Sequence, residues 1–318
     1  MKLVAGIDIG GTKTKIGLVT KDGDCLVRTF FRTKEYPDFD AYLDKIILCI
    51  SELQKELNRE HTIIGYGIGA PNASSRTGTI EKASNLLWKG TVPFIEKFKA
   101  KVDLPMRLMN DANAAALGEM LFGNAKEMQD FIVLTLGTGL GAGIVANGQI
   151  IEGFTGFAGE LGHIDMTIGD GRMTGQGVRG GLEAYVSATG LKRTILSMQS
   201  KYLDDSRFRG IAFNDLHGEE IAQAAHEGDP IAIKAFDFTA RVLGLALANF
   251  TTFTQPEAFI LMGGLTNSDE LILDPLEKYF NKYVLDIYKG NVKILTSGLK
   301  GKTAAICGAA ALIWEQEI

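Results

Sequence analysis

The chain has 318 residues, 46% of them hydrophobic and 22% charged. That is enough apolar material for large cores, and it excludes a disordered chain. The length exceeds the roughly 100–200 residues of a typical domain, so two domains are expected. With 33 Lys and Arg against 38 Asp and Glu, the formal charge is −5. The basic surplus of a nucleic-acid binder is therefore missing.

The three cysteines, Cys25, Cys49 and Cys307, are too few and too scattered for a disulfide framework or a zinc site, and read as buried or half-buried thiols. The first apolar segment meets Asp8 and two glycines within a few residues. It fits neither a signal peptide nor a membrane span, so a cytoplasmic enzyme without membrane partners is expected.

In chain order, residues 3–9 predict a strand, Gly10-Gly11 a turn, residues 15–19 a second strand and residues 25–33 a third. Leu43, Ile46, Ile50, Leu53 and Leu57 recur at helical steps and predict a helix over 40–59. Residues 63–68 predict a buried strand, followed by a polar loop. A short helix over 92–100, a strand over 106–109 and an alanine-rich helix over 111–122, stopped by Gly123, come next. The opening pattern then returns: strand 131–136, turn Gly137-Thr138-Gly139-Leu140-Gly141, strand 142–146. Displaced by 127 positions, Gly10 falls on Gly137 and Ile9 on Leu136, which suggests two similar domains facing each other. Residues 153–181 read as glycine-dense loop and 182–190 as helical. Helices are expected over 221–227, from 230 to about 250, over 275–283 and over 303–314, with strands at 259–262 and 292–296. Buried strands separated by helices make the fold α/β.

Glycine supplies 38 of the 318 residues, about 12% against a usual ~7%. Glycine turns can bring backbone N–H groups up to phosphate oxygens. No Gly-x-x-x-x-Gly-Lys-Ser/Thr run is present, and the strand after Gly141 breaks the dinucleotide-binding pattern, which needs a helix there. What remains is a pair of glycine hairpins, which serve either as phosphate cradles or simply as tight turns. Thr12 and Lys13 stand at the tip of the first and Thr138 at the tip of the second, where each can meet phosphate. Asp8 can hold Mg²⁺ directly or through water.

Asn110 and Asp111 lie at a strand-to-helix switch. Asp111 can accept the proton of an attacking hydroxyl during phosphoryl transfer, and Asn110 can fix the same substrate. Both also read as helix caps. Glu160 and His163, in a glycine-rich loop, and Glu183 after it form a set able to read adjacent sugar hydroxyls. The loop around Ala73 and the segment around Asn85 can line the same cleft, or be turn residues only. Trp88 and Trp314 read as packing residues, and Arg172 and Arg179 as solvated flanks of a glycine loop.

These motifs, in this order, resemble those of the ROK family (repressor, open reading frame, kinase) of bacterial sugar kinases, within the actin-like ATPase superfamily. Gly6-Ile7-Asp8-Ile9-Gly10-Gly11-Thr12-Lys13 is similar to its first phosphate motif, and Thr135-Leu136-Gly137-Thr138-Gly139-Leu140-Gly141 to its second. Asn110-Asp111-Ala112-Asn113-Ala114-Ala115-Ala116-Leu117-Gly118-Glu119 is similar to its catalytic motif. Gly159-Glu160-Leu161-Gly162-His163 and Leu182-Glu183-Ala184 resemble its sugar-binding loop and following helix, and Met262-Gly263-Gly264 its adenosine-side turn.

The resemblance spans essentially the whole chain and implies two actin-like ATPase (ribonuclease H-like) α/β domains with an interdomain cleft. They would cover residues 1–121 and 122–301, with 302–318 a closing helix on the N-terminal domain. It implies ATP-dependent phosphorylation of a hexose, glucose or a close relative, at the 6-hydroxyl, with Asp111 as general base. Ala73, Asn85, Asn110, Glu160, His163 and Glu183 would serve the sugar. Gly10, Gly11, Thr12, Lys13, Gly137, Thr138, Gly139, Gly263 and Gly264 would serve ATP, with Mg²⁺ near Asp8. A homodimer or homotetramer is implied.

Many members carry a three-cysteine zinc knuckle, whereas the matching positions here are Thr174, Gln176 and Gly181. Zinc is therefore not expected. At 71–73, Pro-Asn-Ala replaces a glycine-containing turn, so side chains there are expected to narrow the pocket. N-acetylmannosamine, N-acetylglucosamine, fructose, mannose and allose remain alternative substrates. A non-catalytic sugar-binding or regulatory protein is the remaining alternative. The family's repressors carry a helix-turn-helix ahead of the first phosphate motif, and only five residues precede Gly6, which disfavours that role.

Overall fold

The computed structural model describes residues 1–57, 60–267, 269–299 and 301–317. The strands and helices in chain order begin with β1 (Lys2–Ile9), β2 (Lys13–Val19), β3 (Cys25–Arg32), α1 (Phe39–Glu56) and β4 (Thr62–Ala70). Next are β5 (Ala73–Ser74), β6 (Thr79–Glu81), β7 (Thr91–Val92), α2 (Phe94–Lys99), β8 (Met106–Asn110) and α3 (Asp111–Phe122). Then come β9 (Phe131–Leu136), β10 (Leu140–Ala146), β11 (Gln149–Ile150), α4 (Ala188–Lys201), α5 (Gly218–His226) and α6 (Pro230–Thr254). β12 (Ala258–Met262), α7 (Asp269–Tyr283), β13 (Lys293–Thr296) and α8 (Ala304–Trp314) close the chain.

Two five-stranded sheets have the same plan. The first runs β3-β2-β1-β4-β8 and the second β11-β10-β9-β12-β13. In the first, β1 pairs antiparallel with β2 and parallel with β4, which is parallel to β8. In the second, β12 is parallel to both β9 and β13. The repeat seen in the sequence is thus a repeat of sheets. The chain divides into two compact units, Met1–Gln129 with Gly143–Gly159 and Ser297–Ile318, and Asp130–Ala142 with Glu160–Thr296.

In the first unit the apolar stripe of α1, Leu43, Ile46, Ile50 and Leu53, is buried in one core with Leu3, Ile7, Ile16 and Leu18 of the β1–β2 hairpin. Asp38 caps α1 by accepting from the Ala41 N–H at 2.8 Å. The predicted helix end at 59 gives way to Glu56, and residues 58 and 59 lie outside the described residues. α8 packs against β1, β4 and α3, its Ala309, Ala310 and Ala311 fully buried, and small side chains permit that close approach. Residue 318 of the predicted closing segment lies outside the described residues. Trp88 packs edge-on against Phe39 and tilted against Tyr42, and the Trp314 indole N–H donates to the Val19 carbonyl at 3.3 Å, so both tryptophans are packing residues. Cys49 and Cys307 are buried thiols. Burial, with Cys307 nearby, pushes the Cys25 thiol up to about 12.

In the second unit α6 packs against α4, α5 and α7. Asp229 caps α6, taking the Ile231 and Ala232 N–H groups at 3.0 Å each, and Pro230 occupies its first turn. The expected helix over 182–190 is replaced by a 3-10 turn, Leu182–Ala184, and by α4, which begins at Ala188 because the Ser187 hydroxyl takes the Gly190 N–H at 3.0 Å. α7 begins at Asp269 and carries Pro275 in its interior. The expected start at Pro275 therefore missed the helix's opening turns. No helix among the described residues is long and apolar enough to cross a membrane.

Candidate active site

The first glycine turn joins β1 to β2. The Gly10 N–H donates to the Lys13 carbonyl at 3.0 Å. The Thr33 hydroxyl donates to the Gly10 carbonyl at 2.7 Å, and the Thr33 N–H to the Thr12 carbonyl at 3.1 Å. The carbonyl oxygens of Gly10, Thr12 and Lys13 are thus engaged from within the unit, which reduces the negative charge an approaching anion would meet. Gly11 is required by close approach: a Cβ there would sit 2.5 Å from the Asn85 carbonyl oxygen. The turn and the exposed Asn85 are therefore neighbours. Thr12 and Lys13 are exposed, with the Lys13 ammonium 4.3 Å from the Phe30 ring centroid.

Asp8 is mostly buried and pairs with Lys15, Oδ2 to Nζ 2.9 Å. Residue reading missed Lys15. The signal was there, because a hairpin turning at Gly10 sets Asp8 opposite Lys15 in register.

Where β8 passes into α3, the Asn110 Oδ1 accepts from the Ala112 N–H at 2.9 Å and the Asn113 N–H at 3.4 Å. Asn110 is the helix cap, and its amide NH₂ is the part left to serve a ligand. Asp111 opens the helix, exposed, with its Oδ1 accepting from the Ala112 N–H at 2.9 Å. Ala73 is 1% exposed and its methyl belongs to the core cluster of the first unit, so only its backbone can meet a ligand. The Asn72 amide donates to the Glu81 carbonyl at 3.0 Å and fastens the turn instead of projecting freely. Glu119 received no role from the sequence. It is fully buried and accepts from the Asn124 N–H at 2.9 Å, the Gly298 N–H at 3.2 Å and the Ser297 hydroxyl. It ties the end of α3 to the segment entering α8.

In the second unit the Gly137 N–H donates to the Gly139 carbonyl at 3.0 Å, as Gly10 does to Lys13. The Ala188 N–H and the Thr189 hydroxyl, at the start of α4, reach the carbonyls of Gly137 and Thr138 at 2.9 Å each. Gly263, at φ +117, lies where a Cβ would be 2.4 Å from the Leu136 carbonyl oxygen. The Gly263-Gly264 turn therefore abuts the strand end that leads into the Gly137–Gly139 turn. Glu183 spans two pieces of backbone: its Oε2 takes the Leu140 N–H and its Oε1 the Gly175 N–H, both at 3.1 Å. Glu160 and His163 are adjacent, Oε2 to Nε2 3.7 Å, and the His163 Nδ1 is a buried nitrogen with no partner among the described residues. The structure thus gathers Glu160 with His163, and Glu183 with Gly139 and Leu140. Asp111 stands with Asn110, and Asn85 with Gly11.

The loop after His163 does not suit zinc. Thr174 is buried, its methyl 2.5 Å from where a Gly181 Cβ would stand, and its hydroxyl accepts from the Val178 N–H at 3.1 Å. Among the described residues no group of three His, Cys, Asp or Glu side chains is placed to hold a metal. A magnesium ion arriving with nucleotide needs less, since phosphate and water supply most of its ligands, and a single carboxylate such as Asp8 fits that demand.

Arg172, read as solvated, is half-buried. Its guanidinium lies 4.9 Å from the Tyr185 ring centroid and 5.7 Å from that of Phe238. Burial pulls it below its ordinary value, with Tyr185 opposing and Arg193 adding to the shift.

Residues 4–316 match the model of the ROK family. The glucokinase of Streptomyces coelicolor is 34% identical over the whole of this chain and 99% of its own length. The glucokinase of Halalkalibacterium halodurans is 33% identical over 98% of this chain and 95% of its own. The crystal structure of a ROK family glucokinase from Streptomyces griseus, in complex with glucose and AMPPNP, superposes with a TM-score of 0.81 at 33% identity, covering 98% of each chain.

Proposed function

From the premise that the chain belongs to the ROK family, with its actin-like α/β fold, we propose that it is an ATP-dependent glucokinase, transferring the γ-phosphoryl group to the 6-hydroxyl of glucose. The observation that carries this reading is the duplicated glycine turn. Each sheet ends its first strand in a turn closed by a glycine N–H, at Gly10 and at Gly137, with carbonyls engaged behind it. Two amide surfaces of one design suit a polyphosphate, and a sugar alone has no use for them. Similarity over nearly full length to glucokinases, one of them complexed with glucose and AMPPNP, supports the choice of both substrates.

We assign the N–H groups of Gly11 and Thr12, with the Lys13 ammonium, and those of Thr138 and Gly139 to the phosphates. The turn at Gly263 and Gly264 is assigned to the adenosine side. Mg²⁺ bound with the nucleotide supplies charge neutralisation at its phosphates, and Asp8 is the residue that would hold it. Asn85, the Asn110 amide, Glu160, His163, Glu183 and the Ala73 backbone are assigned to the hexose hydroxyls. Asp111 accepts the 6-hydroxyl proton as that oxygen attacks phosphorus, the leaving group being ADP. Positioning of this kind is where phosphoryl-transfer enzymes gain most of their rate.

A coupled ADP-release assay across glucose, mannose, fructose, allose, N-acetylglucosamine and N-acetylmannosamine tests the proposal. Glucose is expected to give the highest kcat/KM, with no release when sugar is omitted. Sugar-independent release, or a higher kcat/KM with an N-acetylated sugar, refutes it. Oligomeric assembly, which we propose as a dimer or tetramer, is read by light scattering.

A further inference from the structure

The segment from Glu160 to Glu183 carries three residues assigned to the hexose, and any role it has in positioning sugar rests on that assignment. It is rich in glycine and contains no α-helix or β-strand: its internal backbone bonds form local turns and two isolated β-bridges, Asp165 with Gly181 and Met173 with Arg179. Thr174, Gln176 and Gly181 offer no metal ligation. A segment of this kind needs a fastening from outside itself, because each ordered residue costs conformational entropy.

Arg172 makes that fastening. Its Nη1 donates to the Thr194 hydroxyl at 2.8 Å and, more weakly, to the Gly190 carbonyl at 3.4 Å, both on α4. Its guanidinium carbon lies 4.9 Å from the Tyr185 ring centroid and 5.7 Å from that of Phe238 on α6. Its backbone N–H donates to the Tyr185 hydroxyl at 3.0 Å, and its carbonyl accepts from the Gly180 N–H at 2.9 Å. From α4, the Arg193 Nη1 adds a bond to the Met173 carbonyl at 2.6 Å. Two residues beyond Arg172 the chain enters a tight hairpin, Thr174 N–H to Val178 carbonyl at 2.8 Å. The hairpin's tip places the Gly175 N–H on Glu183.

We propose that Arg172 is the positioning residue of the hexose loop: by fixing the 172–180 hairpin to α4 and α6, it orients the Glu183 carboxylate through Gly175. A guanidinium suits the task because it is weakly hydrated, packs on aromatic rings and donates in a fixed plane, whereas an ammonium is a compact, strongly hydrated charge with no planar face.

The test compares the parent protein with Arg172→Met and Arg172→Lys by hydrogen exchange and by steady-state kinetics. In Arg172→Met the amides of Thr174, Val178 and Gly180 are expected to lose about tenfold or more in protection, while those of α6 keep theirs. The KM for glucose should rise about tenfold or more and the KM for ATP change less than about threefold, because the second phosphate turn keeps its bonds to α4. Arg172→Lys should stay within about threefold of Arg172→Met. Retained loop protection or an unchanged glucose KM overturns the proposal. So does full rescue by lysine, or a parallel loss of protection in α6, which would make Arg172 a general support of the fold. If the parent turns over no hexose, the functional reading fails while the exchange experiment still decides whether Arg172 holds the loop.

Discussion

Gly137→Ala separates a phosphate turn from a merely tight one. A methyl built on Gly137 meets no heavy atom within 4 Å, and its φ lies outside the left-handed range. The protein itself therefore has room for alanine there. Its stability should hold or rise by about 0.4–1 kcal/mol, since alanine restricts the unfolded chain. If the turn's N–H groups grip phosphate as proposed, the methyl takes space that the phosphate needs. Losing one charge-assisted hydrogen bond to it costs about 1.5–3 kcal/mol, which is about a 10- to 100-fold rise in the KM for ATP. The assay is the KM for ATP at saturating glucose, with ADP affinity by calorimetry and the melting temperature alongside. Gly263→Ala is the control, because its φ of +117 and a Cβ 2.4 Å from the Leu136 carbonyl oxygen make it a backbone lesion. That variant should melt lower by the equivalent of more than about 1 kcal/mol. An unchanged melting temperature and a KM for ATP within about twofold of the parent in Gly137→Ala would refute the assignment of this turn to the nucleotide.

Asp111→Asn should lower kcat by about 10²- to 10⁴-fold while glucose affinity by calorimetry changes little; equal losses in both would make Asp111 only a helix-start residue. Burial alone would raise the Asp229 carboxyl. The N–H groups of Ala232 and Arg207, the Ser206 hydroxyl and the Ile231 N–H outweigh it and hold the folded value below the usual carboxylate range. The cap's contribution is then fully present above the unfolded value of about 3.9 and is lost as pH falls through the lower folded one. In urea melts Asp229→Ala should cost about 0.5–2 kcal/mol near neutrality, with the gap to the parent closing below about pH 4; a gap constant to about pH 3 would contradict this. Elemental analysis of protein purified without added metal should find no stoichiometric zinc, and one zinc per chain would overturn the reading of Thr174, Gln176 and Gly181.

What was legible in the sequence was local. The strands 131–136 and 142–146 stood out because apolar branched residues run unbroken to a glycine cluster. The displacement of 127 carries the bounds of β2, Lys13–Val19, onto those of β10, Leu140–Ala146. α3 was readable because alanine, a capping Asn110 and a stopping Gly123 agree within a dozen positions. The sheet β5-β6-β7 was not, since strands of two or three residues are too short to show a period. α4 was displaced in the reading, which made 182–190 helical: the helix runs from Ala188 to Lys201, because its start is set by the Ser187 side chain closing on Gly190.

The same division of scales runs through the site. Asp111 could be proposed because its motif is contiguous, Asn110 and the alanine run lying next to it in sequence. Arg172 could not, because an arginine in a glycine-rich loop looks the same whether it is solvated or packed on aromatic rings, and Thr194 lies 22 positions away. A metal site announces itself in sequence, since ligand chemistry demands particular residues at short spacing. A guanidinium packed beside two aromatic rings demands only that elements distant in sequence deliver them. Where Thr174, Gln176 and Gly181 supply no staple of the first kind, what holds the loop is of the second kind, and it becomes visible only when α4 and α6 are in place.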